Sequence, residues 1–446
     1  MNGKIRRRQM LKLLGGSALA ASAASPARAG RWWENLQGFG LPGSSSSGAR
    51  PAPERSEPIP LDDLRPSNIP LRSDEMLLQL DAAIERYTKL SRRNPWPKMP
   101  NIGMLRPDDD HEAVVAVRRI LYSAGDLSIE AMRATDGSYS YDRYVTSAVR
   151  SFQARHGLRP TGRLDRATRA QLAVSPAARL TQLQLNRRRI AALVQGRIED
   201  RYILVNAASY ELEAVERFEV ERRHRVIVGK PERETPAVAA TVRGINFFPY
   251  WRVPMSIAVK DIIPRLIKEP EYLAKEHIRA LSKTYDGPEI DTTQIDWRTV
   301  DAEQIRFRQD PGPWNALGLV RIDMPNEHIV YMHDTPMKEL FEQRYRAFSA
   351  GCVRVQNVME LVAWIARYEP GFGHSGAVGN IIQAGHAVDV ELTRPVPVYF
   401  TYVSAWAERD GSLQFRPDIY SRDGDQELVG DNDPEVLAAA PPLLSP

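Results

Sequence analysis

The chain has one cysteine, Cys352, among 446 residues. No disulfide can close within it, so each folded part must be held by its own buried core. Cys352 stands in Ser349-Ala350-Gly351-Cys352-Val353-Arg354-Val355. His333 lies 19 residues earlier, in Val330-Tyr331-Met332-His333-Asp334-Thr335-Pro336. A thiol needs a nearby base or positive charge to become a good nucleophile at neutral pH. His333 supplies that base if the fold brings the two together. A small residue and a glycine before the cysteine leave the thiol exposed. They also let the backbone bend so that the N–H groups of Gly351 and Cys352 can face an oxyanion. The alternative is a buried cysteine with an unrelated histidine, since free cysteine is commonly a small core residue.

The N-terminus reads as an export signal. Arg6-Arg7-Arg8-Gln9-Met10-Leu11-Lys12 precedes a weakly apolar stretch from Leu13 to Ala24, then Ala27-Arg28-Ala29. These are the n-region, h-region and small-x-small site of a secretory leader. The paired arginines point to the twin-arginine route, and cleavage would leave Gly30 first. The apolar run is too short to span a bilayer. Residues 1–29 hold six basic residues and no acidic ones, so a net charge of +4 becomes near −2 in the mature chain. The basic pI therefore says little about partners, and no nucleic-acid interaction is expected. No later apolar run is long enough to cross a membrane.

Residues 30–70, rich in Pro, Ser, Gly and Arg, cannot bury a core and read as a disordered linker. Met76, Leu77, Leu80, Ile84, Tyr87 and Leu90 follow helical spacing after Ser73, a plausible N-cap. Further helices are expected over 110–122 and from Pro176 to Gln195, with Ser175 as N-cap. We divide this region into a helical scaffold (71–125 and 176–200) around a compact unit at 126–175. In that unit Val145, Val149 and Phe152 share a helix face, Gly157 suits a C-cap, and Asp165 suits the next N-cap. The unit resembles the three-helix peptidoglycan-binding module of cell-wall enzymes.

From Arg201 the texture becomes β-rich. Strands are expected at Tyr202–Asn206, Arg225–Val228, Leu319–Ile322, Ile329–Met332, Val388–Leu392 and Val396–Val403. Residues 258–307 interrupt them and read as an inserted helical flap. Residues 424–446 form a Pro- and Ala-rich tail. The fold class is α+β and multidomain: a mostly-β domain over 201–423 with its flap, behind the helical scaffold and the module.

The segment around Cys352 resembles the L,D-transpeptidase family, the YkuD domain. The family pattern is a histidine, a loop, then Ser/Thr-His/Ser-Gly-Cys followed by Val-Arg. Here it stands as His333 and Ser349-Ala350-Gly351-Cys352-Val353-Arg354. Further matches are Arg225-Val226-Ile227-Val228-Gly229-Lys230, Thr235-Pro236, Trp251-x-Val253-Pro254, Pro313-x-Asn315-Ala316-Leu317-Gly318 and Phe415-Arg416-x-Asp418-Ile419-Tyr420. Ala350 departs from the usual His or Ser.

The resemblance implies that Cys352 is the nucleophile and His333 the general base and acid. The Asp334 backbone carbonyl would orient the imidazole, with the Asp334 side chain as the alternative third member. Gly351 would supply an oxyanion N–H. Substrate-binding candidates are Tyr331, Arg354, Trp251, Asn315 and Ser349. Packing roles stand beside these: strand packing for Tyr331, loop support for Arg354 and Asn315, core for Trp251. The implied donor and acceptor are peptidoglycan tetrapeptide stems, the product a three-to-three cross-link, and carbapenems the implied inhibitors. Water, a free D-amino acid or a lipoprotein lysine are alternative acceptors, and a non-catalytic wall-binding scaffold is the alternative class. The remaining histidines show no ligand spacing, and no P-loop or dinucleotide glycine pattern occurs, so no metal or cofactor is expected.

Overall fold

The computed structural model describes residues 64–65, 67–92 and 96–424. The leader at 1–29, the linker up to residue 63 and the tail beyond residue 424 lie outside the described residues. The end of the expected linker is instead part of a core. Arg65 is buried, with its guanidinium 2.7 Å from Glu213 and 2.9 Å from Glu408. Ile69 is buried with it. A local composition reading cannot see carboxylates 148 and 343 residues away in sequence.

Helix α1 (Asp74–Arg92) begins as its sequence predicts, with the Ser73 hydroxyl accepting from the Met76 N–H at 3.2 Å. The next four helices, α2 (Ala113–Ala124), α3 (Ile129–Ala134), α4 (Arg143–Arg155) and α5 (Arg166–Ala173), enclose one core. Val114, Val117 and Ile120 of α2 pack there with Val145, Val149 and Leu172. The boundary expected at residue 126 therefore moves toward the N-terminus, because the apolar side of α2 has its partners in α4 and α5. Asp142 and Asp165 cap α4 and α5 by accepting backbone N–H bonds. Helix α6 (Pro176–Val194) returns to α1, and Leu183 and Ile190 share a core with Met76 and Leu80.

The β-rich region opens with β1 (Arg201–Asn206), β2 (Glu211–Glu216), β3 (Glu219–Gly229) and β4 (Val238–Phe247). The insertion carries β5 (Trp251–Arg252), β6 (Ile278–Ser282) and β7 (Ile305–Gln309). Then follow β8 (Val320–Asp323), β9 (Met332–His333), β10 (Ala347–Ser349), β11 (Val353–Val355) and β12 (Val388–Thr401). The hairpin of β13 (Ala405–Ala407) and β14 (Leu413–Phe415) closes the described chain. Nine strands form one mixed sheet in the order β10-β3-β11-β9-β8-β4-β12-β1-β2.

Strand parity sorts the side chains of β1. Ile203 and Val205 enter the main core with the helix Val358–Ala366, whereas Tyr202 and Leu204 enter the α1–α6 core. The two strands expected at 388–403 are one. It shifts register between Glu391 and Val396, next to Pro395. There the Glu369 carboxylate accepts the N–H groups of Thr393 and Arg394 at 2.9 and 3.0 Å.

The insertion is only partly helical. Strands β5, β7 and β6 form a separate three-stranded sheet, where helix was expected over 270–282 and 297–307. The reason is a period of two: Ile305, Phe307 and Gln309 are buried while Arg306 and Arg308 are not. Among the described residues no helix is long and apolar enough to cross a membrane.

Candidate active site

Strands β8, β9 and β11 lie side by side in the large sheet. The parallel register of β9 with β11 sets Met332 beside Val353 and His333 beside Arg354. The Val353 N–H donates to the Tyr331 carbonyl at 3.0 Å, so Cys352 comes level with Tyr331. Alternation then assigns the faces. Met332 and Val353 are buried in the main core. His333 and Arg354 point to the opposite face, while Tyr331 and Cys352, just ahead of β9 and β11, pack against the main core.

Strand β9 is later and shorter than expected from Ile329–Met332. Asn326 holds the preceding loop by donating to the carbonyls of Met324 and Val330 at 2.6 and 2.7 Å. Ile329, at φ +56°, cannot extend there.

His333 is fully buried. Its Nδ1 lies 2.5 Å from the Asp334 carbonyl oxygen. A carbonyl only accepts, so Nδ1 carries the proton and Nε2 of the neutral ring presents its lone pair. Nε2 is buried with no hydrogen-bond partner among the described residues. Burial, then the Arg354 charge, hold the imidazole down at about 3, against a raising effect of the Asp334 carbonyl. The Asp334 carboxylate turns elsewhere. It accepts the Leu319 N–H at 3.0 Å and pairs with Lys338. It passes so close to Gly318 that a Cβ there would sit 2.4 Å from Oδ2, and Gly318 has φ +60°. A side chain at 318 would displace the loop on which His333 depends.

The turn before Cys352 is stapled from both sides. Ser349 Oγ accepts the Gly351 N–H at 3.1 Å and donates to the Cys352 carbonyl at 2.5 Å. Thr235 Oγ1 donates to the Gly351 carbonyl and accepts the Gly229 N–H, both at 2.9 Å. The Tyr420 hydroxyl donates to the Gly229 carbonyl at 2.5 Å. These contacts give a physical role to the Gly229, Thr235 and Tyr420 matches, to which the sequence reading attached none. Gly351 has φ +121°, a conformation that favours glycine.

Several expectations change on this geometry. The Gly351 N–H is spent on Ser349 and does not face an oxyanion; the Cys352 N–H takes no part in that network. The Cys352 thiol is buried rather than exposed: Cys352 belongs to the main core, and the insertion packs on the neighbouring Ala350. Ser349 and Asn315 are fully buried. Asn315 donates to the carbonyls of Pro249 and Asp310 at 3.1 and 3.0 Å, so both residues hold loops instead of presenting a surface to a ligand. Trp251 is fully buried in the core of the insertion and is no cleft wall. Arg354 is 1% exposed, which removes it as a surface anchor for a carboxylate.

Tyr331 remains partly open and links the site. Its ring meets the His333 ring edge-on, with centroids 5.7 Å apart. Its phenol interacts with the Cys352 thiol and with Trp251. Burial pushes the thiol up to about 11, opposed by Tyr331 and by the Arg354 and Arg321 charges. At neutral pH the resting pair is thus thiol and neutral imidazole. Arg321 was not singled out from the sequence. It faces His333 across β8 and β9, and only the antiparallel register reveals this.

Residues 200–396 match the family model of the L,D-transpeptidase catalytic domain, YkuD. Residues 110–172 match that of a putative peptidoglycan-binding domain. A putative L,D-transpeptidase of Haemophilus influenzae is 31% identical over 222 residues, covering 50% of this chain and 44% of its own length. The chain therefore matches less than half of that relative. An L,D-transpeptidase structure from Mycobacterium smegmatis is 14% identical, with 45% of this chain and 58% of that one covered and a TM-score of 0.20. Another from Stackebrandtia nassauensis is 12% identical, with 68% and 96% covered and a TM-score of 0.25.

Proposed function

Since the chain carries an L,D-transpeptidase catalytic domain and a peptidoglycan-binding domain, we propose that it is an exported, wall-associated enzyme that cross-links peptidoglycan stems through Cys352. The observation that carries this reading is the orientation of His333. Its Nδ1 is committed to the Asp334 carbonyl, its Nε2 is unpartnered among the described residues, and the same two arginines, Arg354 and Arg321, act on its ring and on the Cys352 thiol.

The thiol sulfur attacks the carbonyl carbon between the third residue of a tetrapeptide stem and the terminal D-alanine. Its proton passes to His333 Nε2 as the C–S bond forms. The Cys352 N–H is the nearest backbone donor for the developing oxyanion. The tetrahedral adduct collapses, the C–N bond breaks, and the imidazolium returns the proton to the departing amine of D-alanine. An amine of a second stem then attacks the thioester and loses its proton to His333. The new amide forms, the C–S bond breaks, and the proton returns to sulfur.

Deprotonation belongs to this encounter rather than to the resting enzyme, because both groups are buried and neutral. Tyr331, beside the thiol, orients it. The insertion, packed on the turn through Ala350, covers the donor and excludes water, which favours an amine acceptor. Carbapenems acylate the same sulfur on this reading, and residues 1–29 direct export to the periplasm.

The test is mass spectrometry of products after mixing the mature enzyme with disaccharide-tetrapeptide. The expected product is a dimer lacking one D-alanine. A tripeptide monomer alone would make the enzyme a hydrolase. Unchanged substrate with folded protein and intact thiol would refute the catalytic reading.

A further inference from the structure

A polar row crosses five adjacent strands on the face of His333. Register places Asp389 of β12 beside Asn246 of β4, Asn246 beside Arg321 of β8, Arg321 beside His333, and His333 beside Arg354. The row runs inward from solvent. Asp389 is exposed, Asn246 and Arg321 are partly exposed, and His333 and Arg354 are buried. The outer members are tied together. Asn246 Nδ2 donates to Asp389 at 2.7 Å, and Arg321 Nε donates to Asn246 Oδ1 at 2.9 Å. Arg321 Nη2 donates to Asp323 at 3.0 Å. Among the described residues no hydrogen bond engages Nη1. The guanidinium carbon stands 5.5 Å from the centroid of the Tyr331 ring, whose phenol meets the thiol.

We infer that Arg321 is the carboxylate anchor of this site, recognising the terminal carboxylate of the donor stem. The inference rests on the transpeptidase reading, which supplies the substrate class. A stem ending in D-alanine carries a carboxylate close to the scissile amide, so a cation near the nucleophile is needed to register it. Of the two arginines that flank His333, Arg354 is sealed at 1% exposure, whereas the Arg321 side chain is 33% exposed. Arg321 is also pre-positioned: Asn246 fixes Nε and the Tyr331 ring fixes the plane, so little side-chain freedom is lost on binding. Its pairing with the partly exposed Asp323 is a solvent-accessible ion pair, which is a weak kind. A substrate carboxylate can therefore share or take over that partner at small cost.

The experiment compares two donors, disaccharide-tetrapeptides ending in D-alanine or in D-alaninamide. The readout is kcat/KM for release of the terminal residue. The wild type is expected to prefer the acid by at least tenfold. Arg321→Gln should lower kcat/KM for the acid at least tenfold more than for the amide, so that the preference collapses toward one. Arg321→Lys should restore part of it, and Asn246→Ala, which frees the guanidinium, should weaken it with the charge retained. Thermal melts of the variants establish that each is folded. An unchanged preference in Arg321→Gln, or an equal loss on both donors, would overturn the inference. So would a wild type indifferent to the acid and the amide. A wild type that releases neither leaving group would instead sink the transpeptidase reading, and this inference with it.

Discussion

Two regions of the molecule, the joint of α4 with β14 and the large sheet near Cys352, each hold a buried histidine with Nδ1 on a main-chain carbonyl, and on our reading only the second serves chemistry; His224, 2.9 Å from the Gln356 carbonyl, is a third ring tethered in this way. At the junction of α4 with β14, His156 Nδ1 lies 2.8 Å from the Phe152 carbonyl. The ring is stacked on Phe152 and Phe415, with centroids at 3.8 and 5.2 Å. Arg179 lies 4.5 Å from the Phe415 centroid, and Arg416 donates to the Arg155 carbonyl at 3.2 Å. This is a packed joint that fixes the helical unit to the end of the chain. In the sheet, His333 has the same burial and the same kind of tether, but among the described residues its Nε2 has no partner, and Arg354 and Arg321 act on both its ring and the Cys352 thiol. Burial depresses both rings. Depression, tether and an unpartnered nitrogen are therefore not signatures of a base, since His224 has all three; what sets His333 apart is that Arg354 and Arg321 act on its ring and on the Cys352 thiol alike.

The largest expected contrast lies in acylation. Cys352→Ala should abolish acyl-enzyme formation, and His333→Gln should slow it by roughly 10²–10⁴-fold. His156→Gln should leave the rate per folded molecule within about twofold. A comparable loss in His156→Gln would break the comparison.

Next comes the thiol itself. With its titration pushed up to about 11, alkylation of the free enzyme by iodoacetamide should rise about tenfold per pH unit from pH 8 to 10, or about 100-fold overall. A plateau below pH 8 would mean a resting thiolate, contrary to the neutral pair described above.

Acid stability follows from the histidines. An unfolded imidazole titrates near 6.5 and His333 near 3. Between those values the unfolded chain binds more protons. The stabilisation is therefore complete above pH 6.5 and is lost as pH falls toward 3. At pH 5 the loss is about 2 kcal/mol from His333, with further losses from His156 and His224, whose rings are depressed in the same direction. Urea unfolding at pH 7 and 5 should show this, with a shallower dependence in His156→Gln. A pH-independent midpoint would contradict the burial of these rings.

The smallest effect is assigned to Asp334→Asn. The backbone carbonyl survives, and the amide oxygen can still accept from Leu319. Only the pair with the half-exposed Lys338 is lost, so turnover should fall less than tenfold. A loss of about 10⁴, as when a triad carboxylate is removed, would make the side chain the orienting group.

Most helices of residues 73–195 and five of the strands, β1, β3, β8, β9 and β12, were legible because caps and periodicity are local. Ser73, Asp142, Asp165 and Ser175 each precede an apolar repeat, and each accepts an N–H at its helix start. The thiol–imidazole pair was legible as a spacing. Its surroundings were not, because they depend on register. Arg321 becomes a neighbour of His333 only through the β8–β9 pairing. Ser349 takes the Gly351 N–H only through the shape of the turn. The place of α2 and the burial of Arg65 were missed for the same reason, since their partners lie far along the chain. In the insertion, a polar composition hid the period-two pattern of β7.

The most direct test is intact-protein mass spectrometry of enzyme quenched at early times after mixing with disaccharide-tetrapeptide. The predicted adduct has the mass of the donor less D-alanine and maps to Cys352. It should be missing in Cys352→Ala, slowed in His333→Gln, and formed at the wild-type rate in His156→Gln. No adduct on folded wild-type protein, an adduct on another residue, or undiminished acylation in His333→Gln would contradict the account.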